Sequence, residues 1–318
     1  MQLMSEIREG QKLNILMITH HRFSKAFIRP GALGEYLARQ GHDVTMIVTA
    51  DTNRWHWKEH RVNGVRVLES PDLLWGRLRT GWDLWASIVR TGYLLREMSK
   101  FDVVHLYETR PSTIIPFQFA KQKRDVPLII DWNDWWAGPG GIIDQLRPRW
   151  YRHTFGRLEA FFETYYRKHA DGTTVISVAL QQRATGMGIA PDSILRLPGG
   201  TRPEEWSPKS IETCRSLVPR RFGNSLGSVV VGFASLDSHI DLDIVFGAMA
   251  ILRRHIPDAS LVITGRVSPD VAQMASRHGV TDALRTTGWV ADAELPAYLG
   301  CSNVCVLPLY DATYNRGR

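Results

Sequence analysis

Residues 230–265, VVGFASLDSHIDLDIVFGAMAILRRHIPDASLVITG, decide the fold. The apolar run 229–234 predicts a strand buried on both faces, 241–254 carries apolar residues at helical spacing, and 260–265 predicts a second buried strand. A strand, a helix and a strand in that order imply parallel strands joined by a right-handed crossover. The pattern continues downstream with a helix at 269–278, a short strand leading to Gly288-Trp289-Val290, a helix at 292–300 and the strand NVCVLPL at 303–309.

Upstream the alternation is already complete once. Strands are predicted at 13–19 (LNILMIT), 43–49, 65–68, 102–107, 127–132, 173–177 and 194–198. Helices are predicted after Pro30 up to Gly41, and at 82–98, 112–123, 151–168 and 178–187. Residues 199–227, with Gly199, Gly200, Pro203, Pro208 and Pro219 and few apolar side chains, read as a linker. The fold class is therefore α/β, with two tandem Rossmann-like, doubly wound domains at 1–198 and 228–318. The second is expected to be truncated, because its pattern is unfinished at Asn315-Arg316-Gly317-Arg318.

Composition narrows the function classes. The 318 residues are 44% hydrophobic and 22% charged, as in a globular protein able to bury a large core. No apolar run reaches the length of a membrane span, and Glu6, Arg8, Glu9 and Lys12 are unlike a signal peptide. Cys214, Cys301 and Cys305 lack metal-ligand spacing and read as small buried residues in a reducing cytoplasm. Residues 1–200 hold 27 Lys and Arg against 20 Asp and Glu, whereas 201–318 hold 12 of each, so the net charge of +7 lies in the first half and suggests an anionic partner. No nucleic-acid-binding module accompanies that diffuse charge, so nucleic acid is not expected.

Residues 131–141, DWNDWWAGPGG, are the most unusual stretch. Asp131 and Asn133 fall at a strand's carboxyl end, where open α/β sheets bind ligands. Polar tips beside tryptophan planes suit a carbohydrate, with its hydroxyl edges and CH faces. The alternative is a capped loop with core tryptophans. Gly31 and Gly34 follow the first strand and let a backbone approach an anionic group, or else a helix approach the sheet.

The motifs together resemble glycosyltransferase family 4 of the GT-B fold. They are Pro30-Gly31-Ala32-Leu33-Gly34, Gly41-His42-Asp43-Val44, DVVH at 102–105, HADGTTVIS at 169–177, LPGGTRPEEWSP at 197–208, the stretch 230–265, and TGWVADAELPAYLGCSNVCVLPL at 287–309. The resemblance implies a retaining, hexosyltransferase-type enzyme that moves a sugar from a UDP- or GDP-sugar to a hydroxyl acceptor, in glycan, polysaccharide or glycolipid synthesis. It implies an acceptor domain at 1–198 and a nucleotide-sugar domain at 228–318. Asn133 takes the place where many members have a catalytic His, Asp134 matches the following Asp, and Asp131 joins them as a catalytic candidate. Gly31, Gly34, Gly140 and Gly141 are expected at the acceptor. Ser235, His239, Gly265, Arg266, Trp289, Val290, Asn315 and Arg316 are expected at the donor. No metal and no cofactor besides the donor is expected.

Two departures matter. Ser235 and Ile240 stand where the family often has an Arg and a Lys that neutralise the leaving diphosphate, and the acidic and glycine-rich elements expected after Arg318 are absent, so the chain is expected to have little activity alone. A GT-B-like epimerase and a non-catalytic binding protein are the alternatives. Finally, residues 71–100 carry Trp75, Trp82 and Trp85 among Arg77, Arg79, Arg90, Arg96 and Lys100. They read either as a core-facing helix with a basic side or as a peripheral membrane contact at the inner face.

Overall fold

The computed structural model describes residues 10–26, 28–52, 55–72, 81–200, 203–204, 206, 226–234, 240–265, 269–291 and 293–317. The chain divides into two compact units, Met1–Gly199 with Ala312–Arg318, and Gly200–Asp311. Most of the expected linker lies outside the described residues.

Eight strands form the first unit: β1 Asn14–Arg22, β2 Asp43–Thr49, β3 Lys58–Val62, β4 Val65–Ser70, β5 Val103–Tyr107, β6 Leu128–Trp132, β7 Gly172–Val175 and β8 Ile194–Arg196. They lie in the order β3-β4-β2-β1-β5-β6-β7-β8. All neighbours are parallel except β3 and β4. The chain builds outward from β1 to β2, then restarts at β5 on the other side. The switch point between β1 and β5 therefore opens a crevice at their carboxyl ends.

The helices are α1 Phe23–Ala26, α2 Pro30–Arg39, α3 Leu84–Glu97, α4 Pro111–Ala120, α5 Ile142–Leu146, α6 Arg149–His153, α7 Phe155–Lys168 and α8 Val178–Gly186. Ile15 and Met17 of β1 pack toward Leu33 and Leu37 of α2, while Leu16 and Ile18 pack with Leu94 of α3 and Ile114 and Phe117 of α4. Burial on both faces explains why β1 is apolar without alternation. Asp83 caps α3 by accepting from the Trp85 N–H at 2.8 Å, and Ser177 caps α8 by accepting from Leu180 N at 3.2 Å.

The strands predicted in this unit are present, with one addition, and one predicted helix is divided. The hairpin strand β3, KEHRV, is half exposed and charged, so it lacks an apolar signature. Its turn places Asn63 at φ 49° and Gly64 at φ 87°, the left-handed pair of a tight hairpin. A Cβ on Gly64 would also lie 3.2 Å from Ala38 Cβ. Gly64→Ala is expected to cost about 1 kcal/mol, read as a lower urea midpoint. The helix predicted at 151–168 is divided at Thr154, whose φ of −110° and ψ of −99° leave the helical region.

The second unit holds β9 Val230–Ala234, β10 Ser260–Thr264, β11 Leu284–Thr286 and β12 Val304–Cys305, all parallel, in the order β11-β10-β9-β12. Helices Leu242–His255 and Pro269–Arg277 cover a core that includes Phe233, Phe246, Met249 and Ile263. The expected strand 303–309 is cut to two exposed residues. Leu307 is exposed, Pro308 lacks an N–H, and Leu309 instead bridges Ile240. The helix expected from 292 begins at Leu295, with Pro296 in its first turn.

Two further expectations change. Residues 312–317 pack on the first unit: Tyr314, Asn315 and Gly317 are buried, and Gly317 approaches Trp135 and Leu180. Cys305 is exposed and Cys301 is half-buried on the short edge of the second sheet, so neither is the buried hydrophobe expected. Cys214 lies outside the described residues.

Candidate functional site

The carboxyl ends of β1, β5, β6 and β7 gather an unusual number of buried charges. Asp131, the fourth residue of β6, is fully buried. Its carboxylate accepts from Arg29 Nε at 3.0 Å and Nη2 at 2.9 Å, and from the Thr174 hydroxyl. Arg29 Nη2 also donates to Leu197 O at 2.9 Å. Burial alone would lower the Arg29 pKa, but the hydrogen bonds and charge of Asp131 raise it. Asp131 therefore ties the start of α2 to the sheet. A direct catalytic contact is not where the structure puts it, because all its carboxylate surface is enclosed.

Asn133 and Asp134 follow as β6 ends. Asn133 Oδ1 is buried and accepts no hydrogen bond from a described residue. The Asp134 carbonyl accepts from Trp132 Nε1 at 2.9 Å and Trp136 N at 3.0 Å, which folds the turn back on the strand. Trp132 is fully buried, with the Arg167 and Arg183 guanidinium groups 4.6 and 4.8 Å from its ring centre. Arg183 also lies 4.5 Å from the Trp135 ring. These two tryptophans are thus structural platforms for arginines and not the sugar-stacking planes expected. Trp136 instead lines a small cavity with Trp82, Phe162, Glu108, Arg110 and Glu163.

Helix α7 supplies the polar wall. Glu159 pairs with Arg110 at 3.2 Å and accepts from the Tyr151 hydroxyl. Glu163 accepts from Ala137 N at 2.8 Å and pairs with Arg183 at 3.2 Å. Arg167 donates to Asp131 O at 2.7 Å and lies 3.5 Å from Glu108. Burial pushes the Glu108 carboxyl up to about 7, against the pull of Arg167 and Arg110 and with Asp134 adding to the rise. Burial likewise raises Glu163 and lowers Arg167. Glu108 also sits at φ 69°, a left-handed conformation unusual for a side chain of its size. A carboxyl that titrates near neutrality at a sheet switch point can hold or release a proton under ordinary conditions.

The imidazoles here behave oppositely. Burial pushes His105 down to about 4, and burial with Arg110 and Lys25 does the same for His21. Both are neutral when folded and protonate on unfolding below about 6.5. The unfolded chain then binds more protons, so their stabilisation is complete above 6.5 and is lost as pH falls toward 4. Glu108 acts in reverse, favouring the folded state below 4.5 and losing that contribution as pH rises through 7. Glu163, raised by the same burial, acts in the same direction as Glu108, so two imidazoles and two carboxyls oppose each other between pH 6.5 and 4.5. Urea titrations across that range should show His105→Asn gaining stability relative to the unaltered chain as pH falls, since the imidazole accounts for about 3 kcal/mol between its two limits.

The remaining site candidates are distributed unevenly. Gly34 faces the sheet, where a Cβ would lie 3.2 Å from Met17 Sδ and 3.4 Å from Val65, and Gly31 is buried beside it. The smallness of Gly34 serves helix–sheet packing, and it faces the sheet and not the acceptor side expected of it. Gly140, at φ 73°, would clash through a Cβ with Thr313 at 2.7 Å, and Gly141 would clash with Trp136 O at 2.7 Å. Both shape the loop after Asn133-Asp134. In the second unit Gly265 ends β10, and its N–H donates to Gly288 O at 2.9 Å. Trp289 is exposed, whereas Val290 is buried against Ala297 and Tyr298. Ser235, His239 and Arg266 lie outside the described residues. Asn315 and the exposed Arg316 belong to the first unit, not to the nucleotide unit where they were expected, because Tyr314 and Gly317 anchor that segment. Ile240 is a core residue bridged to Leu309, so an apolar side chain there fits its surroundings.

Arg29, Glu108, Glu159, Glu163, Arg167 and Arg183 were not among the sequence candidates. The spacing of Glu159, Glu163 and Arg167 at four-residue intervals was the available signal, since it puts all three on one helix face. Among the described residues no cluster of three His, Cys, Asp or Glu could hold a metal ion. Among the same residues no helix is long and apolar enough to cross a membrane.

Comparison with known proteins bears on this geometry. No curated protein matches the chain by sequence. Among solved structures, sucrose-phosphate synthase from Thermosynechococcus elongatus is 16% identical with a TM-score of 0.68, over 95% of this chain and 77% of that one. WaaG, a glycosyltransferase involved in lipopolysaccharide biosynthesis, is 15% identical with a TM-score of 0.60, over 93% and 75%. Anabaena HepE in complex with UDP and glucose is 14% identical with a TM-score of 0.58, over 93% and 74%. At such identities the likeness establishes the fold, tandem Rossmann-like units of the GT-B type. A family profile described as a glycosyl transferase 4-like domain matches residues 29–200, from the arginine that holds Asp131 to just past β8. The chain belongs to the glycosyl transferase 4-like family.

Proposed function

We propose that the protein transfers a hexose from a UDP- or GDP-sugar to a hydroxyl group of a glycan or lipid-linked acceptor, with retention at the anomeric carbon. The observation that carries this reading is the Asn133-Asp134 turn at the carboxyl end of β6, in a chain of this family. Asn133 and Asp134 are only half-buried, Asn133 Oδ1 has no donor among the described residues, and Asp134 adds its charge beside Glu108. Those groups suit the alignment of an acceptor hydroxyl. The bond from the anomeric carbon to the diphosphate oxygen breaks, the bond to the acceptor oxygen forms, and the acceptor proton leaves with the diphosphate. The likeness to HepE bound to UDP and glucose supports a nucleotide-sugar donor. Donor contacts would come from the second unit, near Gly265.

Turnover with a panel of UDP- and GDP-sugars and saccharide acceptors tests the reading. Asp134→Asn and Asn133→Ala are each expected to lower kcat about 100-fold, at unchanged urea midpoints. Calorimetry showing no binding of UDP or GDP would refute it, and a sugar converted without acceptor would indicate epimerisation.

A further inference from the structure

Helix α7 is built inside out. Its sequence, FGRLEAFFETYYRK, buries Gly156, Glu159, Glu163 and Arg167 and exposes Phe155, Leu158, Phe161 and Tyr165. Those four exposed residues occupy one stripe, opposite the buried charges at helical periodicity. The inner face is committed to the ion pairs around Asp131, Glu108 and Arg110. The outer stripe continues into Trp150 of α6, and Phe161 stacks on Tyr165 with ring centres 5.0 Å apart. A surface helix ordinarily shows the reverse arrangement, so this apolar stripe calls for an occupant.

Charge identifies it. From Gln145 to His169 the exposed ionised side chains are Arg147, Arg149, Arg157 and Lys168. The two acidic residues in that span, Glu159 and Glu163, are turned inward. Asp144, just before it, is engaged by Arg152. Aromatic residues flanked by arginines, with no exposed carboxylate among them, match a bilayer interface carrying anionic headgroups. A second copy fits poorly, since an isologous contact would bring the same arginines together. We infer that the outer face of α6 and α7 docks on an anionic phospholipid bilayer. This differs from the contact expected at 71–100. There Arg90 is fully buried, and Trp75, Arg77 and Arg79 lie outside the described residues.

Co-sedimentation of the whole chain with vesicles tests the inference, using phosphatidylcholine alone and with one part in three phosphatidylglycerol. Binding is expected only with the anionic lipid, weakening as salt rises. Arg147→Gln/Arg149→Gln/Arg157→Gln is expected to lower the partition coefficient about 100-fold. Phe155→Ser/Phe161→Ser is expected to lower it about tenfold or more. These are surface changes, and unchanged circular dichroism and urea midpoints establish that both variants fold. Absence of binding by the unaltered chain would overturn the inference. So would binding that survives both variants but is lost on Leu84→Ser/Ile88→Ser in α3, or self-association abolished by the Phe changes without any vesicle binding.

Discussion

Arg29→Ala is expected to destabilise the protein by about 3–5 kcal/mol, the cost of leaving a buried charge without its partner. Asp131 is fully buried and receives two hydrogen bonds from this guanidinium. Among the described residues alanine leaves the carboxylate only the Thr174 hydroxyl, and it removes the Arg29 donor from Leu197 O as well. For a unit of about 200 residues the melting temperature should fall by about 10 °C. Arg29→Met with Asp131→Met removes both charges and should recover much of the loss. Urea denaturation of the unaltered chain, Arg29→Met, Asp131→Met and the double variant closes a double-mutant cycle. A double-variant loss equal to the sum of the two single losses would show that the ion pair does not act as a unit.

The second large effect is expected at Arg90. This side chain is fully buried in the layer between α3 and the sheet, and burial pushes its pKa down to about 9. Four of its five N–H donors are spent on Ser70 Oγ at 2.8 Å, Thr19 O at 3.0 Å, Ser112 O at 3.1 Å and Thr49 Oγ1 at 2.9 Å. One guanidinium thus fastens the ends of β1, β2 and β4 to the start of α4. Arg90→Leu fills the space but leaves two buried carbonyls without donors and removes the positive charge facing Asp72 and Asp83. The expected cost is about 4 kcal/mol. Arg90→Lys keeps the charge, yet its single ammonium cannot span four acceptors, so an intermediate loss is expected. A midpoint unchanged in Arg90→Leu would refute the assignment.

The two arginines also show where sequence reading succeeds and fails. Buried parallel strands such as β1, β5 and β10 are legible because both faces demand apolar side chains, leaving continuous runs such as LNILMIT. Strand β3 is not legible, since an edge strand with one wet face carries KEHRV without penalty. Arg90 stood in a stretch read as a core-facing helix with a basic side, and Glu159, Glu163 and Arg167 stood in a helix predicted only by its extent. Periodicity gives the angle of each residue around its helix, but it does not say which side faces the protein when the buried side is charged. That depends on partners far away in sequence, 36 residues for Arg167 with Asp131 and 102 for Arg29 with Asp131. The Asn133-Asp134 turn was legible because a sheet's carboxyl edge is fixed by topology. The glycines near it were legible as special, but their purpose was not: Gly34 makes room for Met17 and Gly140 for Thr313.

Trp132 gives the protein a built-in optical gauge. It is the only fully buried tryptophan among the described residues, and two guanidinium charges lie within 5 Å of its ring centre. Acrylamide reaches exposed indoles first, so the emission that resists quenching is weighted toward this ring. Its excited-state dipole is sensitive to the field of Arg167 and Arg183. Since Asn133 is the next residue, any shift of the turn that moves either arginine changes the colour of that protected light, and movement at the site can be followed without a label.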